Sequence, residues 1–182
     1  MRITIINGPN LNLLGKREPS IYGTRSMEQV LVDIQRAYPN VHFEYRQSNH
    51  EGDLIDWVQE LGVAHCLEDA HNSLNGDWTA SPIGRSDELL DKGEIAGIVL
   101  NAGGYTHTSV ALRDAVACSQ VPVLEVHISN IAEREKFRRV SLLTDVCAHT
   151  IIGHGTEGYK EAIEWIVEKS ECERCKGERL EV

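Results

Sequence analysis

The stretch "IAGIVLNAGGYTHTSVALRD", residues 95–114, leaves an apolar run at Ile95 to Leu100, crosses the glycine pair 103–104 and enters a helical pattern at Thr108 or Ser109. A short apolar run bounded by glycines reads as a strand, and a hydroxyl residue ahead of the next apolar stripe reads as a helix N-cap. Strand followed directly by helix is half of a βαβ unit. Outward from it the same rhythm repeats: "RITII" (2–6) and "HFEYR" (42–46) upstream, and "PVLEV" (122–126) and "AHTII" (148–152) downstream, also read as strands. Between them, residues 26–37 open on Ser26 as N-cap and carry Met27, Val30, Leu31 and Ile34 at helical spacing, with Pro39 as stop. Glu51 to Leu61 puts Leu54, Ile55 and Val58 on one stripe. Tyr159, Ala162, Ile163, Ile166 and Val167 give a further helix an apolar face.

Five strands alternating with helices imply right-handed crossovers and hence a parallel sheet covered on both faces. The expected fold is α/β: a flavodoxin-like doubly wound sandwich with a five-stranded parallel sheet. Residues 1–170 read as one domain and 171–182 as a C-terminal tail. In such sheets ligands bind outside the carboxyl ends of the strands, which selects the loops 7–25, 47–50, 101–109 and 127–132. One segment, about 62–93, is longer than an ordinary helix-to-strand connection, is rich in acidic residues and carries turn signals at Asn75-Gly76 and Pro82. It reads as an insertion.

Composition narrows the function. A formal charge of −10 over 182 residues disfavours a protein that neutralises nucleic-acid phosphates or sits on an anionic membrane. No stretch has the length of a signal-peptide core or a membrane span, so the expected compartment is the cytoplasm. Cys66, Cys118, Cys147, Cys172 and Cys175 are an odd, scattered set that reads as reduced thiols. The "CERC" pair at 172–175 has no second pair for a zinc site, and reads as incidental in a frayed tail. The expectation is no metal, no cofactor and a small-molecule substrate.

Three constellations carry chemistry. The loop 101–109 offers backbone N–H groups and a helix start, suited to an anion such as a carboxylate. It lacks both G-x-x-x-x-G-K-[ST] and G-x-G-x-x-G, which disfavours nucleotide phosphate. A tight strand-to-helix turn without a ligand would use the same residues. In "EVHIS" (125–129), Glu125 and His127 share a face of an extended segment. A carboxylate there can fix the tautomer and charge of an imidazole used as general acid; a buried Glu satisfied by backbone, with His capping the loop, is the plainer alternative. In "NIAEREKFRR" (130–139), Arg134 and Arg138 stand one helical turn apart, as carboxylate anchors or as a solvated helix face. Finally, "LLGKREPSIYG" (13–23) places the permanent cation Arg17 near Tyr22, whose hydroxyl needs such a neighbour to act as a base, and Asn7 and Asn10 add neutral donors.

Together "NGPNLNLLGKREPSIYG", "RQSNHEGDLIDW", "NAGGYTHTSVALRDA", "EVHISNIAEREKFRR" and "GYKEAI" resemble type II 3-dehydroquinate dehydratase, in order, from residue 2 to about 168 with the break at 62–93. The resemblance implies a metal- and cofactor-free dehydration of 3-dehydroquinate to 3-dehydroshikimate by anti elimination through an enolate. By motif position it makes Tyr22 the base, Arg17 its activator, His127 the proton donor with Glu125 behind it, and Asn10 the holder of a water near the enolate oxygen. It makes Asn101, His107, Ile128, Ser129 and Arg138 substrate contacts, and Asp114 a residue reaching a neighbouring subunit's site in a trimer-based assembly, up to a dodecamer. The insertion and the tail depart from the family pattern. A catalytically silent carboxylate-binding or scaffolding protein of the same fold is the alternative, weakened because each inferred catalytic position holds a competent residue. A flavodoxin-like nucleotide binder is a third, weakened by the missing phosphate loop.

Overall fold

A computed structural model of the chain describes residues 1–16, 23–62 and 95–177, with side chains given through 172. Strand β1 (Arg2–Asn7) is followed by helix α1 (Met27–Ala37), β2 (His42–Gln47), α2 (Glu51–Gly62), β3 (Ile95–Asn101), α3 (Val110–Ala117), β4 (Val123–His127), β5 (His149–Ile152) and α4 (Glu157–Gly177). The five strands form one sheet in the order β2-β1-β3-β4-β5, and every neighbouring pair is parallel. This is the flavodoxin-like order expected from the alternation. The chain winds outward from β1 in one direction and from β3 in the other, so the switch point lies between β1 and β3.

Local chemistry explains the element ends. Ser26 caps α1 with a full capping box: its hydroxyl accepts from the Gln29 N–H at 3.3 Å, and the Gln29 side chain accepts from the Ser26 N–H at 3.0 Å. Of the two candidates for the start of α3, Ser109 is the cap; its hydroxyl accepts from Leu112 N at 2.8 Å, while residues 103–107 form a 3₁₀ turn. Helix α4 runs on to Gly177, into the stretch read as a tail. The segment 63–94, which holds nearly all of the inferred insertion and Cys66, lies outside the described residues, as does the side chain of Cys175.

Alternation along β1 sends Ile3 and Ile5 to one face, where they meet α1 (Met27, Val30, Ile34) and α4 (Tyr159, Ala162, Ile163, Ile166). Ile6 and the β3 residues Ile98 and Leu100 turn to the other, against Leu54, Val58 and Leu61 of α2 and Leu112, Ala115 and Val116 of α3. Burying an aliphatic side chain of this size stabilises by roughly 1.5–3 kcal/mol, so the two layers clamp the sheet and fix where its carboxyl ends stand.

Two glycines shape the crevice at those ends. A Cβ on Gly8 would lie 2.5 Å from the carbonyl oxygen of Ala102, so the loops leaving β1 and β3 touch only because position 8 has no side chain. Gly15 adopts φ of 81°, and a Cβ there would meet the Thr24 carbonyl oxygen at 2.9 Å. The chain before residue 17 and the chain after residue 22 are therefore packed together. Gly8→Ala should destabilise the protein by roughly 1–3 kcal/mol, the usual range for overpacking; urea denaturation with an unchanged midpoint would disprove the tight approach.

Candidate active site

Strands β1, β3 and β4 end side by side, and the loops leaving them line one cleft. Asn10 and Leu13 come from the first loop, Asn101 and His107 from the second, and His127, Ile128, Ser129, Arg134 and Arg138 from the third. Eight of the residues singled out from the sequence thus meet at one surface: Asn10, Asn101, His107, His127, Ile128, Ser129, Arg134 and Arg138. Glu125 lies behind His127 and is fully buried, outside the cleft lining. Asp114 is exposed on α3 and does not line the cleft. Arg17 and Tyr22, the two residues that the sequence reading makes base and activator, lie outside the described residues.

The Glu125 carboxylate organises the site. Its Oε1 accepts from the hydroxyls of Thr106 at 2.5 Å and Ser141 at 2.6 Å, and its Oε2 from Thr144 at 2.8 Å and Thr150 at 3.3 Å. The Nε2 of His127 lies 2.9 Å from Oε1, a close charge contact without the alignment of a directed hydrogen bond. Burial by itself would push this carboxyl upward. His127, lying 2.9 Å away, and then the Ser141 and Thr106 hydroxyls outweigh burial and hold it down to about 2. The group is thus an anion throughout the neutral range, facing an imidazole that opens to the cleft. Beside it, burial and then the Glu125 charge push the Cys147 thiol up to about 12, so it stays protonated and unreactive.

His107 stacks on His127, with ring centroids 6.4 Å apart and planes 19° from parallel. Its Nδ1 lies 2.7 Å from the Val140 carbonyl oxygen; a carbonyl only accepts, so Nδ1 carries the proton and Nε2 is the nitrogen left for a ligand. Asn10 adopts φ of 67°, a left-handed conformation an asparagine tolerates, and its backbone N–H donates to Asn49 Oδ1 at 2.9 Å. Arg134 donates to Ser129 Oγ at 3.2 Å.

The reading of Arg134 and Arg138 as one helical turn apart is corrected. Two short 3₁₀ turns, Ile131–Glu133 and Lys136–Arg138, are separated by an extended Arg134, so Arg134 and Arg138 are not stacked one turn apart on a helix. The reason is competition for backbone groups. The Arg139 side chain donates to the Arg134 carbonyl at 2.9 Å, taking an acceptor that a continuing helix would use, while Asn130 Oδ1, accepting from Ala132 N at 3.1 Å, caps only the first short turn. Both arginines reach the cleft nonetheless, bracketing Glu135 at 3.4 Å and 3.6 Å.

Sequence reading missed the hydroxyls around Glu125, which come from four separate positions and carry no local motif. It also gave Tyr159 only a place on an apolar stripe, whereas its hydroxyl reaches Asn7 and Asn101 beneath the cleft. Among the described residues no group of three His, Cys, Asp or Glu side chains could hold a metal ion, and no helix is long and apolar enough to cross a membrane.

The sequence matches the family model for dehydroquinase class II over residues 1–72 and 83–167. The chain belongs to the class II dehydroquinase family. The match breaks at 73–82, inside the segment read as an insertion. Among relatives, the 3-dehydroquinate dehydratase of Halothermothrix orenii is 42% identical over 168 residues, 91% of this chain and 93% of that protein. The corresponding enzyme of Campylobacter jejuni is 41% identical over 98% of this chain and 94% of its own length. Among solved structures, the type II dehydroquinase of Butyrivibrio crossotus superposes with a TM-score of 0.72 at 39% identity, covering 91% of this chain and 97% of that one.

The depressed Glu125 carboxyl has a consequence for stability. Its ionised form is preferred by the folded state, so the stabilisation is complete above the ordinary carboxyl value of 4.5 and disappears as pH falls through about 2. The gap in unfolding free energy between the wild type and Glu125→Gln should therefore be wide at pH 6 and close as pH drops from 4.5 towards 2. A gap that stays constant over that range, measured by urea unfolding, would refute the assignment.

Proposed function

We propose that the protein dehydrates 3-dehydroquinate to 3-dehydroshikimate, with a general acid on one side of the substrate and a general base on the other. Family membership supports the reaction, and the observation that carries the acid role is the His127 imidazole on the cleft wall with the buried Glu125 carboxylate 2.9 Å behind it. In this reading the imidazole delivers its proton to the departing hydroxyl so that water leaves rather than hydroxide.

The base in this reading is Tyr22, with Arg17 favouring its tyrosinate form. Tyrosinate removes the proton from the carbon beside the ketone, the C–H electron pair moves into an enolate, and collapse of the enolate expels the hydroxyl on the opposite side as His127 protonates it. What supports their nearness is the neck of that loop. Gly15 and Thr24 are in contact, and Leu13 and Leu14, just before it, line the cleft. Asn10 holds a water by the enolate oxygen, so that charge developing there meets a neutral donor. Ile128 and Ser129, following β4, receive the substrate carboxylate through backbone N–H and hydroxyl, and Arg138 adds positive charge at the same wall. Asn101 and His107 contact the substrate's oxygens. Exposed and away from its own cleft, Asp114 serves a neighbouring subunit in a trimer-based assembly, up to a dodecamer, and the compartment is the cytoplasm. Neither a metal nor a cofactor has a step in this scheme.

The test is direct: purified protein with 3-dehydroquinate should generate the conjugated enone of the product, followed by ultraviolet absorbance. A folded sample without turnover rules the reading out. Tyr22→Phe and Arg17→Met should each lower kcat by at least ~100-fold, about 2.7 kcal/mol of barrier. Near wild-type rates in either variant would remove that residue from its role.

A further inference from the structure

We infer that Tyr159 is a positioning residue for the reaction proposed above: its buried hydroxyl locks the Asn101 side-chain amide so that an N–H, rather than a carbonyl, is offered to the cleft. The inference rests on that functional reading for its substrate, a hydroxylated carboxylate, and on geometry for everything else. Tyr159 is the largest fully buried side chain among the described residues, with 0% exposure, in the first turns of α4. A tyrosine costs less to bury there as phenylalanine unless its hydroxyl is satisfied, and here it is satisfied twice. It donates to Asn7 Oδ1 at 2.8 Å and accepts from Asn101 Nδ2 at 2.9 Å. Asn7 and Asn101 are register partners, the last residues of β1 and β3, so the hydroxyl bridges the switch point from below.

The direction of this chain is decided by one backbone group. A phenol has a single proton, so the relay runs either from Asn101 through Tyr159 to Asn7 or the reverse. In the reverse case the Asn101 NH₂ would face the Gly103 N–H, two donors with nothing between them. The Gly103 N–H is a donor in either case and lies 3.2 Å from the Asn101 amide oxygen, which fixes Oδ1 on that side and Nδ2 on the tyrosine. Asn7 completes the order, donating through Nδ2 to the Tyr45 hydroxyl at 3.4 Å. Burial, the first cause, raises Tyr159 above the ordinary phenol value, so the relay keeps its proton. The Nδ2 group has two hydrogens and gives one to Tyr159; the second is available to a substrate oxygen, since Asn101 lines the cleft. A hydroxyl or carboxylate oxygen accepts it, whereas a substrate group that only donates is rejected.

The experiment is a double-mutant cycle on turnover of 3-dehydroquinate. Tyr159→Phe keeps the ring and removes the bridge; KM should rise by roughly tenfold with kcat within about threefold, because an oriented donor binds ground and transition states alike. In an Asn101→Ala background the same change should have no further effect on KM. An unchanged KM in folded Tyr159→Phe, or effects that simply multiply in the double variant, would overturn the inference. If Tyr159→Phe does not fold, Asn7→Ala, which removes the acceptor that aims the phenol proton, is judged by the same two criteria. Hydrogen exchange of the Asn101 side-chain amide, read by NMR without substrate, separates this from the functional reading. One of its two hydrogens should be protected in the wild type and neither in Tyr159→Phe; equal exchange of both in the wild type defeats the inference even if the enzyme turns over. Absence of turnover with one protected hydrogen defeats only the functional reading.

Discussion

A carboxylate with no exposure at the end of a central strand is the constraint around which this molecule is arranged. Moving such an ion out of water costs several kcal/mol even after the surroundings relax, and each hydrogen bond to it returns roughly 1.5–3 kcal/mol. Glu125 recovers that cost from Thr106 after β3, from Ser141 and Thr144 in the long connection after β4, from Thr150 on β5, and from His127 on its own strand. The connection from 128 to 148 contains only two 3₁₀ turns, so regular backbone bonding does not hold it in place. The carboxylate helps to, together with Leu142 N donating to the Thr106 carbonyl at 2.8 Å and His107 on the Val140 carbonyl, with Leu143 packed at 0% exposure beside the two hydroxyl donors. Since the same connection carries Arg134 and Arg138, one buried charge both backs the imidazole and helps to anchor the segment that bears the cations.

That arrangement explains what was legible in the sequence and what was not. Strands and helices carry their signal locally: the apolar run at 95–100, the Ser26 capping box and the stripe from Tyr159 to Ile166 each lie within a dozen residues or so, and each became the element expected. Glu125 and His127 were legible for the same reason, being two residues apart on one strand. The donors that satisfy Glu125 are spread from position 106 to position 150, and only the folded sheet brings them together. Nothing about a threonine at 144 separates it beforehand from a solvent-facing one.

The broken spacing of Arg134 and Arg138 follows from the same logic. The segment must deliver Ser141 to Glu125 and present Arg134 to Ser129. A continuous helix would carry them away from the sheet. The Arg139 side chain takes the Arg134 carbonyl instead, and the result is two separate short turns. Tertiary demand overrides local preference where the site needs particular atoms in particular places, which is why functional loops are the least legible part of such a chain.

The hydrogen-bond directions extend this from the acid to the opposite wall. On one side Glu125 can only accept, so its neighbours must all be donors, and hydroxyls are suited because each can turn its single proton inward while its lone pairs take further bonds. The Ser141 hydroxyl does both: it gives its proton to Glu125 and accepts from Leu143 N at 3.0 Å. On the other side the fixed donor is a backbone N–H, at Gly103, and the order propagates from it through Asn101, Tyr159 and Asn7. The two networks leave opposite kinds of group at the cleft. The first backs an imidazole whose proton can be given away; the second leaves an amide N–H that is held. In the proposed reaction, a substrate bound between them meets a mobile proton where a bond must break and a fixed one where it must only be gripped. Both polarities start from groups that do not titrate in the neutral range, an ionised carboxylate on one side and a backbone N–H on the other.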